Sequence, residues 1–78
     1  SPLVLASAKA LAEQIAAGPR GDDTAMIREA YRRALQRSPS PKELERCRAF
    51  LTELEGDPER LAALCQTLLA SNEFAYRQ

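Results

Sequence analysis

Seventy-eight residues make one domain, near the size at which a chain buries only about 60–65% of its unfolded surface, so packing must be efficient and a second core is excluded. Lysine plus arginine and aspartate plus glutamate balance at 11 each, which excludes a strong overall field selecting nucleic acid or an acidic membrane. With 45% hydrophobic and only 5% aromatic residues, the core must be built from Leu, Ala, Val and Ile, a composition that favours helices.

Ser1 and Pro2 read as an N-cap followed by proline at the first helical position. Leu3, Val4, Ala8, Leu11 and Ile15 then recur at helical spacing, predicting a first helix over 2–17 that Gly18 and Pro19 close. Because the chain begins in what already reads as a helix start, it is expected to be a fragment of a larger protein. Arg20 to Thr24 is a loop by composition, ending in side chains that accept hydrogen bonds from free helix-start amides. The second helix, expected over 23–37, carries Met26, Ile27, Ala30, Tyr31, Ala34 and Leu35 on one side and Arg28, Glu29, Arg32, Arg33 and Arg37 on the other. Ser38-Pro39 ends it, since the residue before proline is driven out of the helical region.

Ser40-Pro41-Lys42-Glu43 is a capping box with proline in the first turn, the sharpest local signal in the chain. It opens a third helix expected over 41–55, with Leu44, Cys47, Leu51 and Leu54 at steps of three and four and Gly56 after its end. Asp57-Pro58 restarts the chain, predicting a fourth helix over 58–70 and, with almost no linker, a tight antiparallel hairpin of the third and fourth helices. The stretch from Leu61 to Ala70 is apolar around most of its circumference and so belongs inside, wrapped by the three single-striped helices. After Ala70, Ser71 to Phe74 reads as a short terminal turn or helix. The expectation is an all-α compact four-helix bundle forming a single domain over 1–78, with Leu11, Ile15, Ile27, Tyr31, Leu35, Leu44, Leu51, Leu61, Leu64 and Leu68 in the core. No apolar run approaches the roughly 18 residues of a membrane span.

Chemistry-bearing constellations are sparse. Histidine is absent, the three glycines are scattered, and two cysteines without histidine are too few for a protein-only zinc site. No nucleophile is paired with a base, so the expectation is a protein that is not an enzyme, with no catalytic residues, no metal and no cofactor. Cys47 and Cys65 fall about nine positions either side of the predicted hairpin turn, at similar height for ~1.5 Å rise per residue. Two readings stand: buried thiols acting as small hydrophobes, or a disulfide. Arg28, Arg32, Arg33 and Arg37 form a candidate basic face. Residues 20–48 hold eight basic and five acidic side chains, with no aromatic interleaved among the arginines in the way a base-stacking site requires, which fits a solvated, internally paired face better than a nucleic-acid surface. Ser71, Asn72, Glu73 and Tyr76 make a candidate interaction tip, set against the plainer reading of a capping turn.

Four stretches, Ser-Pro-x-Val-x-x-x-Ala-Lys-Ala-Leu-Ala-Glu (1–13), Ile-Arg-x-Ala-Tyr-Arg-x-Ala-Leu-x-Arg (27–37), Pro-x-Pro-x-Glu-Leu (39–44) and Leu-Cys-x-x-Leu-Leu-x-Ser-Asn-Glu-Phe-x-Tyr (64–76), together resemble the C-terminal portion of a domain of unknown function. That domain occurs in large planctomycete-type bacterial proteins that often also carry a cytochrome-c-like segment. The resemblance implies a terminal helical portion of a larger, exported or cell-envelope protein. It brings no catalytic residues. Haem in such proteins belongs to a separate Cys-x-x-Cys-His segment that this chain lacks. The leading expectation is a non-catalytic structural or protein-interaction module whose partner is another region of the parent protein or another protein. The alternatives are a small nucleic-acid binder using the arginine face of the second helix, and an accessory to a catalytic or redox region elsewhere in the parent chain.

Overall fold

In the computed structural model, which describes residues 2–18 and 21–76 and the side chains of those residues other than 2, 4 and 72–76, each caps-and-stripe segment of the sequence is a helix. α1 runs Pro2–Ala17, α2 Asp23–Leu35, α3 Pro41–Glu53 and α4 Arg60–Tyr76. The described residues contain no strand.

Local chemistry sets the borders. Asp22 is the N-cap of α2, its Oδ1 accepting the Ala25 amide at 2.9 Å. The helix stops two residues before the expected end, because Gln36 turns into the left-handed region at φ 57° while its amide still donates to the Arg32 carbonyl. α3 opens with the expected capping box in full: the Glu43 amide donates to Ser40 Oγ at 3.2 Å and the Ser40 amide donates to Glu43 Oε1 at 2.9 Å. It closes at Glu53, again two residues short of the expected end, with Leu54 as its C-cap.

α4 differs from expectation at both ends. Pro58 and Glu59 lie in a tight turn in which the Asp57 carboxylate accepts the Glu59 amide at 2.9 Å and the Asp57 carbonyl accepts the Arg60 amide at 3.1 Å, so the helix proper begins at Arg60. At the other end it runs on through Tyr76 as one continuous helix, with no break after Ala70. Ser71 and Asn72 are weak helix formers, and the cost of a few tenths of a kcal/mol each is too small to end a helix whose neighbours favour it.

The core is Ala8 and Ile15 from α1, Ile27, Ala30 and Tyr31 from α2, Cys47 and Leu51 from α3, and Leu64, Cys65 and Leu68 from α4. Six of the ten expected core residues are buried, and Leu11, Leu35, Leu44 and Leu61 pack against them half-buried. α4 touches all three other helices, as its apolar circumference requires, and so does α2; α1 and α3 do not touch each other among the described residues. The expected tight hairpin of α3 and α4 is not the dominant contact. α4 makes its largest interface with α1 and its smallest with α3. Residues 54–59, with Gly56 at φ 89°, give the chain six residues in which to turn, and the Arg60 guanidinium fixes the outcome. It forks onto the Asp23 carboxylate at 3.0 and 3.3 Å and donates to the Leu51 carbonyl at 3.2 Å, tying the start of α4 to the start of α2 and the end of α3. The Cα radius of gyration of 11.7 Å matches the roughly 11.5 Å expected of a folded chain this long.

Candidate functional site

The four arginines expected on the second helix, of which Arg37 lies beyond the end of α2, do not form an open cationic face. Glu29 stands three residues before Arg32 and four before Arg33, so helix geometry brings both guanidinium groups to one carboxylate, each at 2.6 Å. Arg33 also donates to the Gln14 side chain of α1 at 3.1 Å. Hydrogen bonds from Arg32 and then Arg33 hold the Glu29 carboxyl down at about 2, well below its ordinary 4.5. Arg37 leaves the face altogether: it forks onto Glu43 with both nitrogens at 2.8 Å and lies 5.3 Å over the Tyr31 ring. The Glu43 carboxyl, bonded first by Arg37 and then by the Ser40 amide, is likewise lowered to about 2. Arg28 is exposed and has no ion pair among the described residues.

The two cysteines are both buried free thiols. Burial alone pushes the Cys65 thiol up to about 11, so it is protonated at neutral pH and acts as a small apolar group. Cys47 has a different neighbour: its Sγ lies 3.8 Å from the Tyr31 hydroxyl, and the two share a hydrogen bond. Burial, reinforced by Cys47, raises the Tyr31 phenol to about 12. The Tyr31 phenol is therefore neutral at neutral pH and is not poised as a base. Among the described residues no three His, Cys, Asp or Glu side chains converge to hold a metal ion.

Of the expected interaction tip, Ser71 is exposed; the side chains of Asn72, Glu73 and Tyr76 lie outside the described residues. Ser71 nevertheless belongs to a feature that the sequence did not disclose. Tyr31 of α2, Cys47 and Phe50 of α3, and Leu64 and Leu68 of α4 form the floor of an open groove of about 350 Å³, with Glu43, Arg46, Thr67 and Ser71 around its rim. Sequence reading placed Tyr31, Leu64 and Leu68 in the core on periodicity. It could not see that they also floor a concavity, because that depends on how three helices far apart in sequence are set against one another.

A second surface feature lies on α1. Leu3 is 77% exposed and Leu5 43%, with Ala6 and Ala10 also open to solvent. This helix is the most apolar of the four, yet among its described side chains only Ala8 and Ile15 are buried. No helix among the described residues is long and apolar enough to cross a membrane. Comparison with models of known families, with curated proteins and with solved structures gives no match to this chain.

Proposed function

We propose that this chain is a non-catalytic helical module of a larger bacterial protein, serving to dock against another protein surface through the outward side of the start of α1. The observation that carries the reading is the exposure of Leu3 and Leu5 within one helical turn, on a helix that is apolar beyond what its own packing uses. A single exposed leucine is ordinary, but Leu3, Ala6 and Ala10 stand at steps of three and four on one exposed stripe of the helix, and Leu5 is exposed on another side of the same turn. The resemblance stated above supports the placement in a larger parent. What supports the non-catalytic part is that the charged groups the fold brings together, Glu29 with Arg32 and Arg33, Glu43 with Arg37 and Asp23 with Arg60, are ion pairs, while the buried Cys65 thiol and Tyr31 phenol stay neutral.

The test is the double substitution Leu3→Glu and Leu5→Glu, made both in residues 1–78 alone and in the parent protein. Because both side chains are exposed, the melting temperature of the isolated domain is expected to stay within about 2 °C of the unchanged chain, surface changes of this kind being worth about ±0.5 kcal/mol. In the parent, the same change is expected to release the domain, read as faster limited proteolysis at its borders or loss of a co-purifying partner. Unchanged proteolysis and unchanged partners in the parent would remove α1 as the docking face.

A further inference from the structure

The groove between α2, α3 and α4 differs from the start of α1 in being concave, in having a polar rim and in having a floor whose one polar pair, Tyr31 and Cys47, is bonded within itself. The Tyr31 hydroxyl and Cys47 Sγ are turned to each other at 3.8 Å, and no buried side-chain nitrogen or oxygen among the described residues lacks a partner. The one polar pair on this floor is bonded within itself, and the remainder, Phe50, Leu64 and Leu68, is hydrocarbon. The groove's volume, about 350 Å³, lies at the low end of the roughly 300–1,000 Å³ typical of small-molecule sites.

The rim supplies the charge. Glu43 is neutralised by the Arg37 fork at 2.8 Å, whereas Arg46 has no ion pair among the described residues, so the rim carries one uncompensated positive charge. Thr67 Oγ1 donates to the Ala63 carbonyl at 3.1 Å, which spends its proton and leaves the exposed Ser71 hydroxyl as the rim's hydroxyl donor. A cation beside Arg46 would be repelled, and a neutral chain would leave that guanidinium without a counter-charge.

We propose that this groove binds a short amphiphilic carboxylate, its alkyl chain over Phe50, Leu64 and Leu68 and its carboxylate between Arg46 and Ser71. The site is independent of the α1 face and of the docking role assigned to it. It requires only that one anionic head sit within hydrogen-bonding reach of the Arg46 guanidinium while the chain displaces water from the floor.

The experiment follows backbone amide signals of residues 1–78 by NMR while octanoate, octanol and octylammonium are added in separate titrations. Octanoate is expected to give saturable shifts at Cys47, Phe50, Leu64 and Leu68, with octanol weaker and octylammonium weakest. Arg46→Glu, a change at an exposed position, is expected to lower octanoate affinity about fivefold or more and to reverse the order of octanoate and octylammonium. Ser71→Trp, also at an exposed position, fills the rim and is expected to abolish both. Linear, unsaturable shifts for every amphiphile, shifts centred on Leu3 and Leu5, or an octanoate affinity unchanged by Arg46→Glu would each overturn the proposal.

Discussion

Gln36 and Gly56 both sit at positive φ, 57° and 89°, and they meet that demand with opposite chemistry. Glycine has no Cβ and takes the conformation freely, whereas for a residue with a Cβ the left-handed region costs roughly 1–2 kcal/mol. Substituting Gly56→Ala is therefore expected to destabilise the domain by about 1 kcal/mol, even though an added Cβ there meets nothing within 4 Å. Gln36→Gly should go the other way. It removes the strain and gives back part of the gain through a more flexible unfolded chain, for a net stabilisation of about 0.5 kcal/mol. Urea titrations of the two variants against the unchanged chain check both signs, and a stabilised Gly56→Ala would show that steric room outweighs backbone conformation there. At this scale the sequence was legible where a residue's role depends on its own helix. Ile15, Ile27, Leu51, Leu64 and Leu68 are buried as their spacing requires. The Tyr31 to Cys47 hydrogen bond was not legible, since nothing in the stretch between two residues sixteen positions apart encodes which thiol a phenol will meet across two helices.

The α2 to α3 junction is fastened by one side chain with two duties. Glu43 caps the Ser40 amide within α3 and accepts the Arg37 fork from beyond the end of α2. Its carboxyl lies near 2 in the folded chain against an ordinary 4.5, so between those values the unfolded chain binds a proton that the folded chain does not. The stabilisation from this pair is thus fully present above about pH 4.5 and is lost as the pH falls toward 2. Glu29, lowered to about 2 by Arg32 and Arg33, adds a loss of the same sign over the same window. Denaturant midpoints measured from pH 6 down to pH 2 are expected to fall in the unchanged chain, to fall less in Glu43→Gln and least in Glu43→Gln with Glu29→Gln. A double variant as acid-sensitive as the unchanged chain would place the titrating groups elsewhere. The capping box itself was readable, because Ser-Pro-x-Glu concentrates its signal in four consecutive residues. The end of α2 was not: Ser38-Pro39 forbids helix there, but the earlier left-handed turn at Gln36 has no glycine to announce it.

Across the whole molecule, the sequence carried the number of helices, because that follows from counting apolar stripes; the central place expected of α4 is shared with α2, and α4 leaves Gln66, Thr67 and Ala70 open to solvent. It did not carry which helices lie closest. Chain proximity favoured α3 against α4, yet α1 takes that place, and the Arg60 fork that fixes the turn joins residues 37 positions apart. The same long-range pairing decides the electrostatics. A sequence scan sees four arginines on α2, whereas in the fold Arg32 and Arg33 share Glu29 and Arg37 is held by Glu43. Affinity for a polyanion scales with the number of phosphates a protein can neutralise, the logarithm of the binding constant falling with salt by about 0.9 per contact. With three of the four guanidinium groups already paired and equal numbers of acidic and basic residues overall, fluorescently labelled duplex DNA or single-stranded RNA is expected to show no saturable binding at micromolar protein in 150 mM salt. In low salt, replacing Glu29 and Glu43 by glutamine frees those three arginines without adding a cation, so any residual binding should strengthen and its salt slope steepen. Tight, salt-sensitive binding by the unchanged chain, or a slope indifferent to the two substitutions, would mean that these carboxylates do not control the α2 surface and would return the arginines to the role of a nucleic-acid face.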